Sequence, residues 1–258
     1  MSAADPRTMV TSVVQAVAVL RHLAATDRGR GVTAVAAAIG ISPSSCFNVL
    51  KTLVAEDLVA FDDETKTYSV GLGVINLGYS ATRRNAVIKA AESRMVKLAE
   101  EHDGAVGLWR VSSRERLTLV HLAESQGTTR IHLSIGQRLP IAAGAMGRCV
   151  AAVQDPGEAE LSRRFNAVRW GQPPRFDVYQ AQIEDARQQG YSTDVDQLLR
   201  GISSVAAAIV DHAASVQFCL SVTMFSGQHS AEKMRRIGNN MRDSAKAISL
   251  DSYGAGHS

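Results

Sequence analysis

The stretch "AIGISPSSCFNVLKTLVAEDL" (38–58) constrains this chain more than any other. Gly40 suits the left-handed residue that closes a helix. Ser42 suits an N-cap, and Pro43 suits the first helical position, where a missing N–H costs nothing. A helix that stops and another that starts this close together cannot be collinear. The second helix carries Cys46, Val49, Leu50, Leu53 and Val54 on one apolar stripe, about 140° wide at about 100° per residue. Ser44, Ser45, Asn48, Lys51 and Thr52 stand opposite.

The flanking sequence completes a module over residues 1–70. Val13, Ala16, Val17, Leu20 and Leu23 recur at steps of three and four, which predicts a helix buried on one side. "TDRGRG" (26–31) ends it, and Thr33 is placed to cap a short helix through "AVAAAI". Beyond Leu58, Val59/Phe61 and Tyr68/Val70 keep the two-residue period of a half-buried hairpin around "DDETKT". Helix, short helix, turn, helix and hairpin make the pattern of a winged helix-turn-helix. "GLGVINLGYSATRRN" follows, and residues 71–84 are expected to form a linker helix with Leu72, Ile75 and Tyr79 on one side.

A second region is predicted over 85–258. A helix from about Asn85 to Glu101 lines up Ile88, Ala91, Met95, Leu98 and His102. After Gly104 the period changes, and "AVGLWRV", "RLTLVHLAE" and "TRIHLSI" are strand-like. "GAMGRCVAAV" opens a helix on which Arg148 is expected at the surface, and two further helical stretches end near Gln189. "SSVAAAIV" and "VQFCLSVTMF" predict strands around "DHAAS", and a last helix spans about His229 to Ile248. The fold class is α+β: a winged helix-turn-helix, a linker helix, and an antiparallel sheet flanked by helices.

Composition excludes several classes. Apolar residues at 45% and charged residues at 21% are those of an ordinary globular protein. Cys46, Cys149 and Cys219 show no CxxC spacing, so buried thiols are expected and no metal site. The histidines lack HxxxH spacing. Ser204, His121 and Asp194 are ingredients of a catalytic triad, yet no GxSxG elbow is present, so neither an enzyme nor a cofactor is expected. No secretory signal and no apolar run of about 18 residues is visible, which predicts a cytoplasmic protein with no membrane partner.

A helix can enter the DNA major groove, and short polar side chains near its N-terminus can reach base edges. The charge is sparse for that task. The first 55 residues hold five basic and two acidic side chains, whereas Glu56, Asp57, Asp62, Asp63 and Glu64 follow with Lys66 alone. A helix with one lysine reads more than it grips, and binding would depend on several modules acting together. A winged helix that assembles with other proteins fits the same pattern.

"SVVQAVAVLRHLAA", "VTAVAAAIGISPSSCFNVLKTLVAEDLV" and the "GLGVINLG" linker resemble the IclR family of bacterial transcriptional regulators. "LPIAAGAMGRCVAAV", "GYSTDVDQLLRGISSVAAAIV" and "LSVTMF" agree in order with that family's effector-binding segments, so the resemblance covers roughly residues 9 to 250. It implies a ligand-responsive DNA-binding regulator, more often a repressor, with a GAF-like effector domain. Its partners would be double-stranded operator DNA and a small or aromatic acid, or a derivative of one. Its assembly would be a homodimer through the N-terminal domains, or a tetramer made of two dimers. Ser42, Ser44, Ser45, Asn48, Lys51, Thr52 and Thr33 would face DNA. Ala145, Met146, Gly147, Asp194, Ser204, Ser221 and Thr223 would meet the effector, with Trp109 and His121, and also Leu108, Leu122 and Met224, as walls. Gln15 and Asn48 replace arginines usual in the family, Ser42-Pro43 stands where proline-lysine is common, and Ser204 replaces a frequent cysteine.

Overall fold

The computed structural model describes residues 9–26, 28–77, 85–112, 115–125 and 131–254. The chain divides into two compact units, Met1–Arg84 and Asn85–Ser258. The first begins with three helices: α1 (Thr11–Ala24), α2 (Val32–Ile39) and α3 (Pro43–Ala55). A two-stranded antiparallel hairpin follows, β1 (Val59–Asp62) and β2 (Thr67–Val70), in the register Val59↔Val70 and Phe61↔Tyr68. Arg30 and Tyr68 exchange backbone hydrogen bonds, which ties the loop before α2 to the hairpin.

Gly40 adopts φ 73°, and α2 and α3 meet at 110°, within the range of a helix-turn-helix. Ser42 caps α3 by accepting a hydrogen bond from the Ser45 N–H at 3.2 Å, with Pro43 behind it. The cap expected of Thr33 is not formed: Gly31 is the N-cap of α2, which leaves Thr33 exposed inside the first turn. The α1 stripe also shifts. Val19 and Leu23 are buried against Val35, Cys46, Leu50 and Leu53, while Val13 and Val17 face solvent. Residues 73–77 are helical, with Leu72 and Ile75 exposed; Tyr79 lies outside the described residues.

The second unit holds a six-stranded antiparallel sheet in the order β5-β4-β3-β8-β7-β6. Its strands are β3 (Ala105–Ser112), β4 (Arg116–Glu124), β5 (Arg138–Pro140), β6 (Ser192–Val195), β7 (Ile202–Val210) and β8 (Val216–Phe225). One face packs on α4 (Ala86–His102) and the C-terminal α8 (Ala231–Tyr253), through Leu108, Val205, Leu220, Met224, Met95 and Ile237. The other packs on α5 (Gly144–Gln154), through Trp109, Leu117, Leu119, Cys219, Ala145 and Cys149. Beyond α5 lie α6 (Glu158–Asn166) and α7 (Phe176–Gln189), whose aromatic residues form a further core.

One strand expectation needs correction, and one strand has no signal in the sequence pattern. Residues 131–135 of "TRIHLSI" form no strand; the chain touches β4 further on, where Gly136 and Gln137 bond Leu119 before the short β5 begins. "GYSTDVD" carries the four-residue strand β6, too short and polar for periodicity to show. No single helix among the described residues is long and apolar enough to cross a membrane.

Candidate functional site

On α3 the buried side chains are Cys46, Leu50 and Leu53. Burial raises the Cys46 thiol pKa, which suits a packing residue. Ser44, Asn48, Lys51 and Thr52 are exposed and Ser45 is half-buried. The polar face is not uniform. The Thr52 hydroxyl donates to the Asn48 carbonyl at 3.0 Å, and Ser42 Oγ bonds both Ser44 Oγ and Ser45 Oγ. Asn48 and Thr52 border an apolar groove with Val13, Ala16 and Val17 of α1. Ser44 and Lys51 sit farther round the helix, and between them stands Phe47, which the sequence reading passed over. Its spacing from Ser44 could have revealed it.

In the second unit, strand register places most of the expected effector residues on one face. Asp194 pairs with Ser204, Ser204 with Thr223, and Thr223 with Ala105, making one row across β6, β7, β8 and β3. Ser221 lies in the next row beside Gly107. The Trp109 indole N–H donates to Ser221 Oγ at 2.9 Å, and a Cβ on Gly107 would stand 2.6 Å from that nitrogen. Gly107 thus makes room for the indole to cross.

His121 does not join them. Val120 is an extra residue at a bulge in β4, so His121 pairs with Leu108 while Leu119 pairs with Trp109. The bulge carries His121 to the face that packs on α4 and α8. Leu108 and Met224 belong to that same core and cannot wall the opposite side, whereas Leu122 pairs with Gly107 and stays on the Trp109 face.

The start of α5 lies over this row. No side chain among the described residues caps it, and residues Gly144 to Ala151 are buried. The Gly147 N–H already donates to the Ala143 carbonyl at 2.9 Å, so it is no ligand donor. Ala145 and Met146, in the first turn, have amides with no acceptor available inside the helix. A Cβ on Gly147 would stand 2.1 Å from the Ala142 carbonyl carbon, so only glycine lets this turn close.

Arg148 is completely buried, which overturns its expected place on the helix surface. It donates to Asp194 Oδ2 at 3.0 Å, to Gln182 Oε1 at 2.8 Å and to Gln197 Oε1, and it lies over the Tyr179 ring. Burial raises the Tyr179 hydroxyl pKa, and its O–H donates to the Ala142 carbonyl at 3.0 Å. Asp194 Oδ1 accepts from the Leu198 N–H at 3.1 Å, so both carboxylate oxygens are engaged. Burial pushes the Cys149 thiol up to about 12, far from a reactive thiolate. No cluster that could hold a metal ion occurs among the described residues.

The model of the IclR helix-turn-helix domain matches residues 12–63, and that of the C-terminal domain of bacterial transcriptional regulator IclR matches residues 79–250. The HTH-type transcriptional repressor AllR of Salmonella paratyphi A is 27% identical over 241 residues, 90% of this chain and 86% of that protein. An IclR transcriptional regulator from Alicyclobacillus acidocaldarius superimposes with a TM-score of 0.84 at 27% identity, covering 95% of this chain and 99% of that one. An IclR homologue from Microbacterium hydrocarbonoxydans, complexed with 4-hydroxybenzoate, has the same fold: TM-score 0.78 at 14% identity, over 93% of this chain and 98% of that one. With two family models spanning both units, the chain belongs to the IclR family and is a ligand-responsive, DNA-binding transcriptional regulator.

Proposed function

We propose that this regulator represses transcription by docking α3 in the major groove of an operator, and that a small carboxylate-bearing effector lying against the start of α5 alters that docking. The observation that carries the effector reading is the buried, uncapped first turn of α5 above the Asp194–Ser204–Thr223 row. A helix N-terminus favours an anion, and the first-turn amides of Ala145 and Met146 are its donors. Ser204 and Thr223 are half-buried and supply hydroxyls at the accessible end of the row. Asp194 holds Arg148 and Leu198 and so is a scaffold of the site, while Trp109 is its apolar wall.

On the DNA side, Ser42, Ser44, Ser45, Asn48, Lys51 and Thr52 are the candidate contacts, with Thr33 available to a phosphate from the exposed turn of α2. The chain acts as a homodimer or a tetramer in the cytoplasm. The exposed Val13 and Val17 beside Leu20 and Val49 support self-association of the first unit. The effector shifts the population between DNA-competent and released assemblies only as far as its affinities for the two differ. Thermal-shift screening of small and aromatic acids against their amides tests the reading. Carboxylates should raise the melting temperature more than neutral analogues do, and a preference for cations would sink it.

A further inference from the structure

Phe47 is 49% exposed on α3, although the unit around it has a well-formed apolar core. It belongs neither to that core nor to the residues packed against it. Ser44 precedes it by three positions and Lys51 follows by four, so the three line one outward stripe of α3; the inference rests on the proposed docking of this helix in the major groove. No acidic residue lies anywhere on α3, so nothing on the helix repels a phosphate, and Lys51 is its only cation. An aromatic ring in such a place must meet something apolar when the helix docks. In the major groove the base edges offer hydrogen-bond donors and acceptors at every pair, and one apolar group, the C5-methyl of thymine.

We propose that Phe47 is a specificity-determining residue that packs on a thymine methyl in each operator half-site. Cytosine puts an amino group and no methyl in that part of the groove, so the ring discriminates against it without any charge. This assignment also accounts for how a helix with one lysine can be selective: part of its recognition comes from apolar contact, which leaves the salt dependence of binding unchanged.

The test begins with full-length protein selecting sites from a random duplex library. Each thymine of the selected site is then replaced by deoxyuridine, which removes only the methyl group, and affinity is read by fluorescence anisotropy for wild type and Phe47→Ala. For wild type, one thymine per half-site should show a loss of about 4-fold, the worth of about 0.8 kcal/mol for burying one methyl-sized group. Phe47→Ala should bind the thymine and deoxyuridine sites equally, with its salt dependence unchanged. Equal sensitivity of both proteins to every deoxyuridine would overturn the proposal. So would a change in oligomeric state of Phe47→Ala in sedimentation, which would make the ring an interface residue. Failure of the library to enrich any sequence would instead strike at sequence-specific DNA binding itself, a separate result.

Discussion

The starts of α3 and α5 pose the same physical problem and solve it in opposite ways. Both leave first-turn amides without acceptors inside the helix. At α3, Ser42 closes the turn, Pro43 removes one donor, and Ser42, Pro43 and Ser44 are exposed. At α5, no side chain caps the turn, and its residues are buried against Trp109 and the Asp194 row. The exposed helix start is self-sufficient, while the start that lies inside a domain is left without a side-chain cap. The contrast fits the proposed roles: a buried turn whose amides stay open to a ligand, and an exposed turn closed for rigid presentation.

Substitutions that break the α5 start should have the largest effects. Arg148→Met strips Asp194 of its cation inside the domain, so a destabilisation of about 3–5 kcal/mol is expected. Combining it with Asp194→Asn should recover much of that loss, and no recovery in chemical denaturation would mean the ion pair is not what holds α5. Gly147→Ala places a methyl group against the Ala142 backbone and should cost about 1–3 kcal/mol. It should also abolish the thermal shift produced by a carboxylate effector, and an unaltered shift would place the effector elsewhere.

Acidification probes the opposite face of the same sheet. His102 is buried, its Nδ1 has no hydrogen-bond partner among the described residues, and its Nε2 lies 3.5 Å from Asn240 Nδ2. Burial lowers its pKa below the ordinary 6.5, Glu101 opposes that, and Lys233, Arg236 and His229 reinforce it. His229 is lowered too, by burial first. In both cases the unfolded chain binds the proton more readily, so stability should fall as pH drops through 6.5 and level off below the folded pKa values. Melting curves between neutral and mildly acid pH check this, and His102→Gln should flatten the dependence.

The α3 start should yield the smaller effects. Ser42→Ala removes a cap worth about 1 kcal/mol, readable in the urea midpoint. Thr33→Ala should change stability by less than about 0.5 kcal/mol, because Gly31 and not Thr33 is the cap of α2. A loss as large as that of Ser42→Ala would restore Thr33 to the capping role that its position in the sequence suggests.

What the residues disclosed beforehand follows the range of the forces involved. Gly40, Ser42 and Pro43 act on their own backbone, so their turn was legible without neighbours. The α4 stripe was legible because Ala91, Met95 and Leu98 repeat at the helical period. Arg148 was not, since its burial depends on Asp194, Gln182 and Gln197, which lie 34 to 49 positions away. His121 was misplaced because one bulged residue, Val120, reverses the alternation that holds for Leu117 and Leu119. Phe47 is outside the apolar stripe and at helical spacing from Ser44, so its face was legible. Its exposure beside the buried Cys46 was not, because that depends on the packing of α3 on its neighbours.

Whether α3 selects sequence with little electrostatic grip is read from the affinity of the full-length protein for a selected site and for a scrambled duplex at about 50 mM and about 200 mM salt. A preference of ~10³ or more for the selected site is expected at the higher salt, with its affinity falling less than ~10³-fold across the range. Equal binding to both duplexes, with a fall steeper than ~10³-fold, would contradict it.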